Sequence, residues 1–275
     1  LQKKYDLQKG DRVILSASGN IEFAYTYFGV HLAGGICVPI DPDTNQIRFN
    51  HIYASTKPVC VMGELHNVNT TTMPFAAVVD GAKKNKFVAP QMADIADILF
   101  TTGTTGAPKG VALSYANISA AARNINEYIG NTAEDVELLA LPVSHSFGLG
   151  RLRCSLSKGA TVVMLGTFAN VKKFYKEMTR CKVTMFAMVP ASWGFLKKMS
   201  GKYIGRFADQ LRFIEIGSSF MPIEDKQLLM DLLPNTRICM HYGSTEASRS
   251  AFMEFHSYKE NLMTAGHASP HTEIR

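Results

Sequence analysis

The chain has 275 residues, of which 46% are hydrophobic and 19% are charged, a balance typical of soluble globular proteins and unlike that of disordered or fibrous ones. No stretch reaches the roughly 18 consecutive apolar residues of a transmembrane helix, so we expect no membrane span. The net charge of +6 suits a polyanionic partner. Because the basic residues are dispersed and no basic run alternates with aromatic residues, nucleic-acid binding is the weakest alternative and we expect none.

Short apolar runs alternate with longer amphipathic segments along the chain. Most of these runs are apolar throughout, which predicts strands covered on both faces, as in parallel sheets flanked by helices. The predicted strands cover residues 13–15, 36–40, 59–62, 76–79, 95–100, 137–141, 161–165, 183–186, 213–216 and 237–240. Helices are predicted for residues 118–129, for 171–178 behind an Asn170 cap, and from Pro222 onward. The alternation predicts an α/β fold of two packed subdomains with mainly parallel sheets.

A change of composition indicates where the chain divides. In residues 63–74 and 80–93, turn residues and lysines replace the periodic apolar ones. We therefore expect residues 1–80 to form the first part of an N-terminal α/β domain, and residues 81–275 to form an α/β region that carries the ligand site. Ligands of parallel sheets bind at the carboxyl ends of the strands, so chemistry is expected in the loops that follow strands.

Two features bear on the cellular compartment. The first ten residues are polar and charged, with Leu rather than Met at position 1, and contain no recognisable secretory signal. The five cysteines form no close pair, which favours free thiols in a reducing compartment over disulfides or zinc ligands. We therefore expect a cytoplasmic protein.

The most informative segment follows the predicted strand 95–100 and reads Thr-Thr-Gly-Thr-Thr-Gly-Ala-Pro-Lys-Gly over residues 101–110. Its glycines let the backbone approach a ligand closely, while threonine hydroxyls and Lys109 supply hydrogen-bond donors and a positive charge. These are the parts needed to hold the β- and γ-phosphates of a triphosphate. The loop differs from the Walker A loop, because Pro108 and Gly110 stand where that loop has its second glycine and its hydroxyl.

The stretch Thr-Gly-Thr-Thr-Gly-x-Pro-Lys-Gly resembles the signature of the adenylate-forming superfamily, which comprises acyl-CoA synthetases, carrier-protein adenylation domains and luciferases. Phe100 and Thr102 stand where family members more often have Tyr and Ser or Gly, and both changes leave the donor chemistry intact. Further segments resemble family landmarks in the family's order. They are residues 10–42, 141–148, 217–222 and 242–246, the last matching Tyr-Gly-x-Thr-Glu in full.

The resemblance implies a role for each matching residue. Tyr242 would stack on adenine, Thr245 would donate to the α-phosphate, and Glu246 would be the Mg²⁺ ligand. The implied ATP- or AMP-binding residues are Thr101, Thr102, Gly103, Thr104, Thr105, Gly106, Lys109, Gly217, Ser218, Ser219, His241, Tyr242, Gly243, Ser244 and Thr245. The implied catalytic residues are Lys109, Thr245 and Glu246, and the implied substrate-pocket residues are His145, Ser146 and Gly148. Residues 101–110 and 242–246 are expected to converge on one metal-bound nucleotide.

The resemblance also implies the reaction, in which Mg·ATP activates a carboxylic acid as an acyl-adenylate and the acyl group then passes to the thiol of coenzyme A. Amino-acid-activating relatives usually place an Asp where this chain has His145, so an uncharged acyl or aryl acid is favoured. Two alternatives stay open: an adenylation domain that loads a carrier-protein phosphopantetheine thiol, and a non-catalytic nucleotide-binding fragment. Because family members continue with a lid domain that carries a catalytic Lys, we expect this chain alone to be weakly active or inactive.

Overall fold

The computed structural model describes residues 6–75, 89–101 and 108–275. The chain divides into two compact units, the first formed by Leu1–Ala120 and Pro142–Ser146, the second by Ala121–Leu141 and Phe147–Arg275. Each unit is built on one β-sheet with helices beside it. None of the helices in the described ranges combines the length and the apolarity that crossing a bilayer requires.

The first unit contains a five-stranded sheet in the order β3-β1-β2-β4-β5. Its strands are β1 (Arg12–Ser16), β2 (Ile36–Ile40), β3 (Cys60–Met62), β4 (Ile95–Thr101) and β5 (Lys109–Ser114), and its helices include α1 (Ile21–Leu32) and α2 (Gln46–Thr56). The first four strands are parallel, and β5 returns antiparallel beside β4. Each helix begins at an Asn side chain that accepts a hydrogen bond from a backbone N–H three residues on, which satisfies one of the free donors of the first turn.

The second sheet has seven strands in the order β12-β11-β10-β9-β8-β6-β7. The strands are β6 (Val136–Leu139), β7 (Thr161–Met164), β8 (Met185–Met188), β9 (Phe213–Ile216), β10 (Arg237–Tyr242), β11 (Ala251–Glu254) and β12 (His267–Ala268). The helices are α3 (Tyr115–Ile129), α4 (Ser146–Ser157), α5 (Val171–Arg180), α6 (Pro190–Ser200) and α7 (Ile223–Leu232), with 3₁₀ turns at Tyr203–Phe207 and Lys259–Asn261. Strands β6 to β10 pair in parallel, whereas β11 and β12 are antiparallel.

The α/β class and the mainly parallel sheets are confirmed, and the Asn170 cap of α5 forms as predicted. Three strands were not predicted, namely β5, β11 and β12, and all three run antiparallel to their neighbours. Strand β4, which lies beyond residue 80, pairs with β2 of the first sheet. The strand predicted at 76–79 lies outside the described residues.

Candidate functional site

The predicted phosphate loop connects β4 to β5 in the first unit. Thr101, the last residue of β4, is the antiparallel partner of Lys109, the first residue of β5, so the two ends of the loop lie side by side. The side chain of Lys109 is exposed. The other residues predicted to hold phosphate, Thr102, Gly103, Thr104, Thr105 and Gly106, lie outside the described residues.

Helix α2 holds both ends of this loop. Nη2 of Arg48 donates to the carbonyl oxygen of Phe100 at 3.0 Å, just before the loop, and Nε2 of His51 lies 2.9 Å from the carbonyl oxygen of Pro108, just after it. Arg48 and His51 are three residues apart and therefore share one face of the helix. Sequence reasoning missed both residues, because their partners are backbone carbonyl oxygens.

His145 lies beside a cavity of about 420 Å³ in the first unit, lined also by Asp41, Arg48, Phe100 and Ser144. Burial of part of the ring lowers the pKa of His145, and the charge of Arg48 acts in the same direction against that of Asp41. The imidazole is therefore mainly neutral at pH 7. The hydroxyl of Ser144 is buried and has no hydrogen-bond partner among the described residues. The cavity thus offers both donors and acceptors to a polar group.

The other two predicted substrate-pocket residues lie at the start of α4. Ser146 is the first residue of this helix, and Gly148 is buried in its first turn. Between them, the carbonyl oxygen of Phe147 accepts a hydrogen bond from Nη2 of Arg249 at 3.2 Å. The beginning of α4 is therefore tied to the segment that follows Glu246 in the second unit.

The predicted nucleotide residues of the second unit gather at the carboxyl ends of β9 and β10, which are parallel neighbours. A cavity of about 370 Å³ lies there, bordered by the rings of Phe220 and Tyr242, which are 67% and 66% exposed. The cavity is also lined by the predicted residues Ser218, Ser219, His241 and Gly243. Gly217 directly precedes this group, as the residue after β9. The predicted residues on these two strands are therefore brought together.

The side chains of this cavity suit a flat ligand with polar substituents. Exposed aromatic rings offer flat apolar faces to a base, and the serine hydroxyls are hydrogen-bond donors and acceptors. Lys226 also lines the cavity, and burial lowers the pKa of its ammonium group. Its Nζ donates to the carbonyl oxygen of Leu262, so part of its donor capacity is used within the protein.

The segment after Tyr242 forms a tight loop between β10 and β11, in which Tyr242 pairs with Ala251. A Cβ on Gly243 would lie 2.5 Å from the backbone nitrogen of Arg249 and 2.7 Å from the carbonyl oxygen of Ala247, so the loop's own backbone requires glycine here. Ser244 and Glu246 are exposed, and Thr245 is half-buried. The carboxylate of Glu246 therefore faces solvent, where a cation has access.

The whole chain, residues 1–275, matches the protein family described as AMP-binding enzyme. The chain belongs to this family. Among its relatives, 4-coumarate–CoA ligase 3 of Arabidopsis thaliana is 26% identical over 289 residues, covering 95% of this chain and 51% of that protein. The medium-chain fatty-acid–CoA ligase of Escherichia coli (strain K12) is 24% identical over 303 residues, covering 98% of this chain and 52% of that protein. This AMP-binding enzyme chain therefore spans about half the length of the curated relatives it matches.

Solved structures of the family share the fold of this AMP-binding enzyme chain. The o-succinylbenzoate CoA synthetase of Bacillus subtilis superposes with a TM-score of 0.84 at 24% identity, covering 98% of this chain and 56% of that one. The family and the fold implied by the sequence motifs are thus confirmed. The roles of the individual residues stay predictions, as does the convergence of residues 101–110 and 242–246 on one nucleotide.

Proposed function

We propose that this AMP-binding enzyme chain belongs to a ligase that activates an acyl or aryl carboxylic acid with Mg·ATP as an acyl-adenylate and passes the acyl group to the thiol of coenzyme A. The observation that carries the proposal is the cavity at the ends of β9 and β10, where Tyr242, Ser218 and Ser219 meet in a chain of this family. The names of the two relatives, a coumarate and a fatty-acid CoA ligase, support an aryl or acyl acid and a coenzyme A acceptor.

The residues present suit a metal-bound nucleotide. The exposed face of Tyr242 would stack against the base, and the exposed carboxylate of Glu246 would hold Mg²⁺, which prefers oxygen ligands. Bound Mg²⁺ would supply charge neutralisation at the phosphates. Lys109 presents an ammonium at the end of the predicted phosphate loop, where it would counter phosphate charge. The protein's contribution is therefore positioning and electrostatic stabilisation rather than covalent catalysis.

The test combines binding and chemistry. Calorimetric titration of the chain with Mg·ATP is expected to give saturable binding, weakened on the order of 10-fold by Tyr242→Ala, because stacking on a base is worth about 1–3 kcal/mol. Tyr25→Ala is the matched control. Tyr25 is a tyrosine on α1 that is 40% exposed, and it does not line this cavity. Glu246→Gln is expected to weaken Mg·ATP binding more than binding of ATP without metal.

A panel of carboxylates, with the activated acyl group trapped by hydroxylamine, tests the reaction in the gene product that contains this chain. Trapped product from acyl or aryl acids, and a thioester when coenzyme A replaces hydroxylamine, is the expected result. Formation of the thioester on a carrier protein but not on coenzyme A would favour the carrier-loading alternative. Absence of Mg·ATP binding to the chain would contradict the nucleotide assignment itself.

A further inference from the structure

A network of buried charged side chains lies inside the second unit. Arg151 on α4 makes a two-point contact with Glu137 on β6, from Nε to Oε1 at 2.6 Å and from Nη2 to Oε2 at 2.8 Å. Its Nη1 lies 3.4 Å from Oε2 of Glu215 on β9. Glu215 in turn contacts His241, at the end of β10, and Arg249. All five side chains are more than nine-tenths buried.

The charges of this network compensate each other. Burial lowers the pKa of His241, although Glu215 acts in the opposite direction, so the imidazole is neutral near pH 7. The remaining charges are the carboxylates of Glu137 and Glu215 and the guanidinium groups of Arg151 and Arg249. Burial by itself would raise the pKa of Glu215, but the guanidinium groups of Arg249 and Arg151 hold it well below its usual value. Because a buried carboxylate without partners is strongly unfavourable, Glu215 requires the contacts that it makes.

One oxygen of Glu215 contacts both ends of an exposed segment. Nδ1 of His241 lies 2.8 Å from Oε1, and Nε of Arg249 donates to the same oxygen at 2.9 Å. These two residues flank residues 242–248, the segment whose tyrosine, threonine and glutamate are predicted to face the nucleotide and the metal. A single buried carboxylate therefore joins the two ends of this segment.

Glycines leave room for the two side chains that Glu215 holds. A Cβ on Gly217 would lie 2.1 Å from Cε1 of His241, and a Cβ on Gly150 would lie 2.8 Å from Nη1 of Arg249. The imidazole and the guanidinium thus occupy space that a larger residue would fill. Their positions are set by packing as well as by charge.

The hydrogen bonds inside the segment shape its tip. The backbone N–H of Ser244 donates to the carbonyl oxygen of Ala247 at 3.1 Å, and the N–H of Ala247 returns a bond to Oγ of Ser244 at 3.2 Å. These bonds close the tip on itself and do not reach the sheet. The contacts of Glu215 with His241 and Arg249 join the base of this tip to β9, in addition to the pairing of Tyr242 with Ala251.

We propose that Glu215 is a positioning residue, which fixes segment 242–248 by holding His241 at one end and Arg249 at the other. The functional half of this inference rests on the proposed function, because the groups that are positioned are those assigned to the nucleotide and to Mg²⁺. The structural half concerns how well the segment is ordered in the protein without ligand, so each half is tested by its own measurement.

Hydrogen-exchange mass spectrometry of the chain tests the structural half with Glu215→Gln and Glu215→Ala. Glutamine keeps an acceptor oxygen but loses the charge, whereas alanine removes both. In the alanine variant we expect backbone amides of residues 242–250 to exchange on the order of 10-fold faster, because the hydrogen bond from Arg249 and the polar contact with His241 are both lost. The glutamine variant should fall between alanine and wild type. Peptides from β4 and β5, in the other unit, should exchange as in the wild type.

Glu137→Gln is the matched control, because Glu137 is equally buried and belongs to the same network but contacts neither end of the segment. It is expected to lower the urea midpoint of unfolding while leaving exchange of residues 242–250 unchanged. If Glu215→Ala does not fold, Glu215→Asp takes its place. Aspartate keeps the negative charge, but its side chain is one methylene shorter, so the carboxylate lies farther from His241 and Arg249. Equal acceleration of exchange at 242–250 in the Glu215 and Glu137 variants would overturn the inference.

Calorimetric titration with Mg·ATP tests the functional half. We expect Glu215→Gln to raise the Kd on the order of 10-fold, as is typical of outer partners that orient metal- and ligand-binding groups, and Glu137→Gln to leave it unchanged. An unchanged Kd for Glu215→Gln would overturn the functional half. If the wild-type chain binds no Mg·ATP, the proposed function fails, and the exchange measurement still decides whether Glu215 positions the segment.

Discussion

Replacing Gly217 with Ala is expected to destabilise the second unit, because a side chain already occupies the space of the new methyl group. A Cβ at this position would lie 2.1 Å from Cε1 and 2.3 Å from Nε2 of His241. The imidazole has little freedom to retreat. Its ring packs edge-on against Phe147, with 4.5 Å between centroids, and its Nδ1 lies 2.8 Å from Glu215.

The expected loss in the free energy of unfolding follows from the contacts of the His241 ring. Overpacking a tight interior costs about 1–3 kcal/mol, and since both clashing atoms belong to a buried ring, we expect Gly217→Ala to cost about 3 kcal/mol. His241→Ala alone loses ring packing and a buried polar contact, for about 2–3 kcal/mol. In the double variant the clash is absent, so its total loss should fall short of the sum of the two single losses by about 3 kcal/mol.

Urea unfolding followed by the fluorescence of Trp193 measures these differences, since this single tryptophan of the chain is buried on α6 in the same unit. Gly194→Ala is the control, because a Cβ there meets nothing within 4 Å, and alanine inside a helix should be stabilising by up to about 1 kcal/mol. Additive losses for Gly217→Ala and His241→Ala, or a wild-type midpoint for Gly217→Ala, would refute the steric reasoning.

Three further predictions concern other parts of the chain. Burial by itself would raise the pKa of Asp135, but the two-point contact with Arg212 holds this pKa below its usual value. The pair therefore stabilises the fold above about pH 4, and this stabilisation is lost as the pH falls through the lowered pKa. The difference in urea midpoint between wild type and Arg212→Gln should therefore shrink from pH 7 to pH 3; a constant difference would contradict it. Arg48→Met or His51→Ala should raise the calorimetric Kd for Mg·ATP on the order of 10-fold without changing the far-ultraviolet circular dichroism, because each removes a contact at one end of the predicted phosphate loop. Asn170→Ala should cost about 1 kcal/mol in urea unfolding through loss of the α5 cap, and Asn170→Asp should restore it.

The parallel strands could be predicted because burial on both faces makes them continuously apolar. Ile36–Ile40 and Phe213–Ile216 form with the predicted bounds, since apolar residues stand at both ends of each strand. Strand β5 was missed because most of its residues are exposed or half-buried, so no apolar run marks it. Its position depends on pairing with β4, which is a tertiary property.

The predicted nucleotide residues of β9 and β10 meet because the strands are parallel neighbours, which the sequence motifs implied. The residues that hold the loops were missed for a physical reason: Arg48 and His51 bind backbone carbonyl oxygens, and such contacts leave no pattern in the partner's sequence. One signal was available. Glu215 interrupts an apolar run, as Asp97 does in β4, and a carboxylate in a strand covered on both faces must have buried partners. For Asp97 these include Tyr27, whose hydroxyl donates to it at 3.0 Å.

In the segment between β10 and β11, the residues that hold the segment in place differ from the residues that are predicted to face a ligand. The tip around Ser244 and Ala247 is closed by its own hydrogen bonds, so substitutions there alter what the protein presents to a ligand without loosening the interior. A change at Glu215, by contrast, reaches Arg249 and His241 together. Substitutions at the tip can therefore change recognition one side chain at a time, whereas a substitution at the interior carboxylate changes both anchors of the segment at once.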